Sequence, residues 1–168
     1  MIRELGGRDA DAIFAVINEA ALAYKGVIPA DRWHEPYMPA DELAREIAAG
    51  VAFAGFEEQG GIAGVMGAQP VKDVTLIRHA YVRSARQRKG IGAALLKHLL
   101  ARTDRPVLIG TWAAARWAIR FYEKHGFKVV TPEEKERLLR LYWTVPDRQI
   151  ATSVVLADRR WFARSSGS

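Results

Sequence analysis

The feature that most constrains this chain is a pair of glycines, Gly90 and Gly92, placed between a strand-like run and an amphipathic helix. Residues 74–82 are strand-like, and residues 90–102 carry isoleucine and leucine at helical spacing, which predicts a helix that begins at the glycines. Glycine at such a junction permits left-handed backbone angles and a close approach of a ligand. The free amides and the dipole of a helix N-terminus favour a phosphate group there. The sequence therefore predicts a phosphate-binding turn.

Basic side chains are concentrated in the same turn. The chain has 25 Lys and Arg against 19 Asp and Glu, a formal net charge of +6, and four of the basic residues are Arg83, Arg86, Arg88 and Lys89. A basic protein favours an anionic partner, which can be nucleic acid, a membrane surface or a phosphorylated small molecule. No aromatic residues interleave this run, so no stacking platform for bases is evident. We expect a phosphorylated small molecule; a nucleic-acid-binding face and a tight turn without a ligand are the alternatives.

Two common nucleotide-binding motifs do not fit the turn. A P-loop needs a Ser or Thr after its Gly-Lys to reach magnesium, whereas Gly92 is followed by Ala93 and Ala94. A dinucleotide-binding fingerprint needs a third glycine after the first strand of its unit, but position 95 is leucine and this strand is the fourth along the chain. The phosphate group is therefore expected to belong to another kind of ligand.

Composition limits the remaining possibilities. The chain has 168 residues, of which 49% are hydrophobic, and no cysteine. This size and composition suit one folded domain, here expected over residues 1–160 with a flexible tail over 161–168, and exclude a disordered chain. The absence of cysteine excludes disulfides, thiolate metal sites and cysteine nucleophiles. The longest weakly polar run, residues 47–56, is too short to span a bilayer, and no signal peptide is evident. We expect a cytoplasmic protein without a metal.

Strands and helices are interspersed along the chain, which predicts an α/β fold. The predicted strands are 2–5, 51–56, 62–69, 74–82, 106–111, 127–130 and 150–156, and the predicted helices are 10–25, 41–49, 90–102, 113–125 and 132–143. A glycine-rich turn over residues 57–61 predicts a hairpin, so the sheet is mixed and not purely parallel. Pro70 is expected to lie in a break before the next strand.

The pattern Gln87-x-x-Gly90-x-Gly92 between a strand and a helix resembles the acyl-CoA signature of the GNAT superfamily of N-acetyltransferases. The segment from Ala118 to Phe127, which contains Phe121-Tyr122-Glu123-Lys124, is similar to the second signature of that family. The order of elements also matches over about residues 1–130. The resemblance implies a single domain with a mixed, mostly antiparallel sheet covered by helices on both faces. It also implies acetyl-CoA as co-substrate.

The resemblance implies a set of coenzyme-binding residues. Backbone groups of Tyr81, Val82 and Arg83 would hold the pantetheine arm. The pyrophosphate would be wrapped by the turn, whose residues are Gln87, Arg88, Lys89, Gly90, Ile91, Gly92 and Ala93. Ala115, Phe121 and Lys124 would complete the coenzyme site. Ala115 departs from the family, which often has asparagine there, so one hydrogen bond to pantetheine is absent or rerouted.

Two residues are expected to carry proton transfer. Tyr122 matches the family tyrosine that protonates the departing thiolate, although packing against Phe121 is the alternative. The strand position at which some members place a glutamate base is Leu76, which excludes a carboxylate there. His79 in the same strand is suited to accept a proton from an ammonium group. Strand alternation turns His79 to the face opposite Leu76, so this role requires a bulge in the strand, and a water chain is the alternative.

The acceptor is expected to contact aromatic residues. Trp33, His34 and Tyr37 lie in a proline-broken loop and are predicted to form the acceptor wall, and Trp112 is predicted to rest beside it. The resemblance implies an N-acetyltransferase that moves an acetyl group to a primary amine, on a small molecule or a peptide, by direct attack in a ternary complex. A non-catalytic acyl-CoA-binding domain and a basic nucleic-acid-binding regulatory module are the alternatives. A homodimer is compatible with the apolar final strand.

Overall fold

A computed structural model describes residues 1–166 of the chain. The strands are β1 (Ile2–Leu5), β2 (Ala52–Glu58), β3 (Gly61–Val71), β4 (Val74–Val82), β5 (Val107–Trp112), β6 (Lys128–Val129) and β7 (Ser153–Ala157). The helices are α1 (Ala10–Ala20), α2 (Ala40–Ala48), α3 (Ile91–Leu100), α4 (Arg116–Lys124), α5 (Pro132–Tyr142), α6 (Asp147–Ala151) and α7 (Arg159–Ser166). The predicted α/β class is confirmed.

The strands form one seven-stranded sheet in the order β1-β2-β3-β4-β5-β7-β6. β1 pairs antiparallel with β2, and β2 pairs antiparallel with β3 through the predicted hairpin. β5 and β6 both pair antiparallel with β7. β3 and β4 are joined by a two-residue turn, so they too form a hairpin. The expectation of a mixed, mostly antiparallel sheet is confirmed.

The contacts divide the chain into two compact units, of which the first comprises residues 1–69 and 77–104. Its core joins the inner faces of α1 and α2 to the strands through buried residues such as Ile17, Leu43 and Val65. Next to Val65, a Cβ on Gly64 would lie 2.8 Å from Ile91 of α3. Neighbouring residues of a strand point to opposite faces, so helices cover both faces of the sheet in this unit, as expected.

The second unit comprises residues 70–76 and 105–168. Its core contains apolar residues of β4, β5, β7, α5 and α7, among them Leu76, Leu108 and Leu138. The hydroxyl of Tyr142 donates to Asp73 over 2.6 Å, and burial together with that carboxylate raises the pKa of Tyr142 to about 12. Leu76 is fully buried in this core.

Several details of the predicted elements differ from the structure. The helix predicted over residues 10–25 ends at Ala20 as α1, and a short 3-10 helix, Ala21–Tyr24, follows it. Pro70 lies inside β3, near its end, where one missing ladder donor is tolerated. α4 begins at residue 116, not at 113. The first residues of the predicted last strand belong to α6, which begins after Pro146, a residue compatible with a helix start. Residues 161–166 of the expected flexible tail lie in α7, where Trp161 is buried; residues 167 and 168 lie outside the described residues.

Candidate active site

The turn between β4 and α3 has the backbone conformation of an anion site. We call residues 83–93 the anion loop. Arg88 and Gly90 both have left-handed backbone angles, with φ of 64° and 80°. Gly90 is the N-cap of α3, and no side chain caps that helix end. A Cβ built on Gly90 would meet nothing within 4 Å, so the space above the glycine is open. Amides in such a turn form a concave cradle for an anion, and the helix dipole reinforces it.

Two acidic residues outside the sequence motif hold the anion loop in place. The carboxylate of Glu19 in α1 accepts from the backbone amide and the hydroxyl of Ser84, each over 2.7 Å. Arg86 forms an ion pair with Glu58 of β2, which raises the pKa of the Arg86 guanidinium. The side-chain amide of Gln87 donates to the carbonyl of Val82 over 3.2 Å. The motif glutamine therefore closes the loop onto its own strand.

The basic run divides into structural and available cations. The guanidinium of Arg83 donates to the carbonyl of Ile62, and its backbone amide donates to Ala63. Arg86 is neutralised by its ion pair. Arg88 and Lys89 are exposed and form no ion pair with another described residue. Only half of the apparent positive cluster is thus available to a ligand, which weakens the interpretation as a nucleic-acid surface.

β4 bends at the histidine predicted as a base. His79 has a left-handed φ of 55° although it is not glycine. Both His79 and its neighbour Arg78 contact one carboxylate oxygen of Glu46 in α2, over 2.7 and 2.9 Å. Consecutive residues of a regular strand point to opposite faces, so the shared partner shows that β4 is irregular at this point, and the role of His79 as a base stays a prediction. Burial raises the pKa of Glu46, but the hydrogen bond from His79 and the charges of His79 and Arg78 outweigh it and lower the pKa.

The front loop and β4 share an aromatic cluster. Tyr37 stacks with Trp33 and with His34, at ring-centroid distances of 5.8 and 6.3 Å, and it also contacts Tyr24 at 5.5 Å. Tyr24 in turn contacts Tyr81 of β4 at 6.1 Å. The structure therefore brings three of the predicted acceptor residues together in one cluster. It also places the ring of Tyr81 there, which leaves its backbone for the predicted contact with the coenzyme.

The remaining predicted residues belong to the second unit. Ala115 is the fully buried N-cap of α4, and Phe121, Tyr122 and Lys124 lie on that helix. The Tyr122 side chain is buried, with edge contacts from Phe121 at 5.1 Å and Phe127 at 5.9 Å. Trp112 is buried at the end of β5. The roles of these residues remain predictions.

Sequence reasoning missed four residues that shape the site: Glu19, Glu46, Glu58 and Tyr24. Each acts through a partner far away in the sequence, and a carboxylate in a helix or hairpin carries no signal of that partner. The tyrosine could have been noticed, because it lies one turn beyond α1 and next to the proline-broken loop.

Within residues 1–166, no group of three or more His, Asp or Glu side chains is arranged to hold a metal ion. None of the described helices combines the length and apolar character needed to cross a membrane.

Comparisons with known proteins agree with the geometry. The family model described as "Acetyltransferase (GNAT) domain" matches residues 18–142, about three quarters of the chain. A search of curated protein sequences finds no match.

Several solved structures share the fold at low sequence identity. PaiA N-acetyltransferase from Thermoplasma acidophilum, in complex with coenzyme A, is 17% identical, with a TM-score of 0.69 over 94% of this chain and 97% of that one. The ribosomal-protein-S18-alanine N-acetyltransferase from Escherichia coli is 20% identical, with a TM-score of 0.66 over 94% and 92%. N-acetylglutamate synthase from Neisseria gonorrhoeae, complexed with coenzyme A and N-acetyl-glutamate, is 18% identical, with a TM-score of 0.63 over 94% of this chain and 34% of that one. With the family model matching most of its length, the chain belongs to the GNAT family and carries an acetyltransferase domain.

Proposed function

We propose that this protein is an acetyl-CoA-dependent N-acetyltransferase that acts on a primary amine. The observation that carries the proposal is the left-handed, uncapped N-terminus of α3 at Gly90, with open space above it. A diphosphate is the group that such a turn favours, because it offers several oxygens to convergent amides. The family match supports coenzyme A as the molecule that supplies this diphosphate, and two of the relatives named above were solved with that coenzyme.

The anion loop suits the charge of the pyrophosphate. Amides of Ile91, Gly92 and Ala93 lie in the first turn of α3, where backbone donors have no partner within the helix. Arg88 and Lys89 supply two exposed cations beside them. The pantetheine arm would follow β4 along the backbone of Val82 and Arg83, as in the family pattern.

The reaction we propose is a direct transfer. The amine lone pair attacks the thioester carbonyl and forms the N–C bond, and the C–S bond then breaks with its electron pair on sulfur. Tyr122 would give its proton to that sulfur and regain one from the nitrogen, so CoA leaves as the thiol. Holding both reactants together contributes up to roughly 7–11 kcal/mol of the rate enhancement.

The acceptor site is proposed at the aromatic cluster of Trp33, His34 and Tyr37. Half-exposed rings suit an apolar or flat group attached to the amine. Of the relatives of this fold named above, one is a ribosomal-protein-S18-alanine N-acetyltransferase and another is complexed with N-acetyl-glutamate, so relatives of this fold differ in the molecules that they handle. We propose a small-molecule amine for this chain, with a peptide amine as the alternative outcome of an acceptor screen.

The first test measures acetyl-CoA binding through the rise that it causes in the midpoint of thermal unfolding. A hundredfold excess of ligand over its Kd stabilises a protein by about 2.7 kcal/mol, so the midpoint should rise clearly. Gly90→Val should abolish the rise, because valine disfavours a left-handed φ and fills the open space. Gly26→Val is the matched control: Gly26 has a φ of 81°, and a Cβ there also meets nothing within 4 Å. Equal rises in both variants would place the pyrophosphate elsewhere.

The second test concerns turnover. Release of the CoA thiol from acetyl-CoA in the presence of primary amines separates an enzyme from a protein that only binds the coenzyme. Tyr122→Phe should lower that release by roughly a hundredfold and leave the acetyl-CoA-induced thermal shift unchanged, since an acid catalyst contributes about 10²–10⁴. Unchanged turnover would remove Tyr122 from the reaction.

A further inference from the structure

One carboxylate oxygen binds two consecutive residues of β4. The Oε1 atom of Glu46 accepts from the Arg78 guanidinium over 2.9 Å and lies 2.7 Å from Nε2 of His79. The residues are consecutive, and only the left-handed backbone of His79 allows both side chains to reach α2. A left-handed conformation is strained for a residue with a side chain, and such strain tends to accumulate at functional sites.

The contact with Glu46 fixes which nitrogen of the imidazole carries hydrogen. An ionised carboxylate only accepts, so Nε2 must donate, and in the neutral ring Nδ1 then holds a free lone pair. No described residue hydrogen-bonds to Nδ1. The charged groups that face the ring are Glu46 from α2 and Arg78 from its own strand. β2 contributes the apolar ring of Phe53, stacked at 6.1 Å.

The environment of His79 is compatible with contact to a small molecule. Its side chain is 14% exposed, so the ring is held firmly and still reaches the surface. Tyr81, two residues further along β4, packs against the same apolar cluster as Phe53 and contacts Tyr24. The aromatic cluster of the front loop therefore extends along β4 to the neighbourhood of His79.

We propose that Glu46 is a positioning residue that orients His79, so that Nδ1 accepts the proton of the acceptor's ammonium group. The inference rests on the proposed function and extends it to the acceptor class: an amine that is protonated in solution and attached to an apolar ring. Arg78 holds Glu46 in place from the other side.

The proton balance is complete without a further reactant. The ammonium N–H bond breaks, its electron pair stays on nitrogen, and the proton forms a bond to Nδ1. The imidazolium is stabilised by the carboxylate of Glu46 and returns its proton to water after each turnover. The neutral amine then attacks the thioester as described above.

The test compares two acceptors of one shape. 2-Phenylethylamine is protonated at pH 7, whereas O-benzylhydroxylamine, in which oxygen replaces one methylene, is mostly neutral because the electronegative oxygen makes its nitrogen much less basic. Only the amine therefore needs a proton acceptor. The kcat/KM for each is measured against pH for the native protein, His79→Asn and Glu46→Gln. Asparagine tolerates the left-handed conformation, which separates the loss of the imidazole from a disturbed strand. Glu42→Gln, the same change elsewhere on α2, is the matched control.

With the native protein we expect kcat/KM for the amine to rise with pH and then level off, because Nδ1 accepts a proton only when the imidazole is neutral. His79→Asn should lower it by roughly 10²–10⁴-fold at pH 7 and convert the plateau into a steady rise with pH. The kcat/KM for the hydroxylamine should fall much less in His79→Asn. Glu46→Gln should lower the plateau by a smaller factor and keep its shape, because the imidazole remains present but is less well oriented. Glu42→Gln should retain the native profile.

Each part of the proposal is overturned by a different outcome. If His79→Asn lowered kcat/KM equally for the amine and the hydroxylamine, or left the plateau unchanged, the cluster would be only a structural tie between α2 and β4. An acetyl-CoA-induced thermal shift without thiol release from either acceptor would refute the acceptor class and the inference, while coenzyme binding would stand. The absence of both would refute the proposed function itself.

Discussion

The anion loop and the Glu46–His79 pair are built in different ways. The anion loop offers backbone amides, and its shape is set by left-handed residues within a short stretch of sequence, Arg88 and Gly90. The pair offers side chains from α2 and β4 that are 33 residues apart. A backbone site is thus specified locally, whereas a side-chain site depends on how two elements pack. Substitutions in the strand beneath each region should therefore affect the two regions differently.

The largest expected effects come from two glycines of β3, one beneath each region. A Cβ on Gly67 would lie 2.9 Å from the carbonyl oxygen of Arg78 and 2.8 Å from Val51. A Cβ on Gly64 would lie 2.8 Å from the side chain of Ile91. A backbone carbonyl cannot move aside as a side chain can, so Gly67→Ala should cost about 1–3 kcal/mol of unfolding free energy and Gly64→Ala less. Urea denaturation measures both.

The same variants distinguish the two regions functionally. Gly67→Ala should lower amine turnover, because the carbonyl it displaces precedes His79, and it should leave the acetyl-CoA-induced thermal shift intact. Gly64→Ala should weaken that shift, because Ile91 is the first residue of α3. Gly60→Ala, whose Cβ meets nothing within 4 Å, should change neither. If both variants weakened the same function, the regions would not be independent.

The anion loop could be predicted from the sequence because its determinants are local. Gly90 was expected to begin the helix, and it is the N-cap of α3 with a positive φ. A glycine at such a position indicates a positive φ directly, since few other residues adopt that conformation. The family signatures indicated coenzyme A as the ligand, which the pattern of strands and helices alone could not identify.

The side-chain pair could not be predicted in full. Alternation assigned His79 to one face of β4, but the bend that also lets Arg78 reach Glu46 depends on tertiary packing. Glu46 lies on an ordinary amphipathic helix, and nothing in its sequence neighbourhood distinguishes it from Glu42. The predicted end of β3 before Pro70 and the predicted start of the last strand at Ile150 are wrong for the same reason, because packing overrides local preference at strand ends.

The next effect tests whether the anion loop depends on the hydrogen bonds between Ser84 and Glu19. Glu19→Gln would weaken two hydrogen bonds to Ser84, at its amide and its hydroxyl. A hydrogen bond contributes about 0.5–1.5 kcal/mol, so we expect affinity for acetyl-CoA to fall by up to roughly tenfold. Isothermal titration measures the change. Ser84→Ala removes only the hydroxyl contact and should give about half of the effect in free energy; a full effect would show that the hydroxyl has another role.

A smaller effect concerns acid stability at the pair. The pKa of Glu46 is lowered from its ordinary value of 4.5, so its carboxylate stabilises the fold above that pH. This contribution is lost as the pH falls through the lowered pKa and the carboxylate is protonated. Glu46→Gln should therefore have a lower midpoint of thermal unfolding than the native protein at pH 7. The difference between the two midpoints should narrow toward pH 3. Glu42→Gln should show no such narrowing. A constant gap would show that the charge of Glu46 does not stabilise the fold.

The smallest effect concerns the exposed cations of the anion loop. Arg88 and Lys89 have no acidic partner among the described residues, so each contributes through screened attraction to the diphosphate. Replacing either by Gln should weaken acetyl-CoA binding by at most about fivefold, which corresponds to the ~1 kcal/mol of an exposed ion pair. The loss should shrink as salt is raised from 50 mM to 500 mM, in calorimetric titrations of each variant. Lys97→Gln, on α3 outside the loop, serves as the control. A salt-independent loss comparable to that of Gly90→Val would mean that the side chains, not the backbone amides, bind the coenzyme.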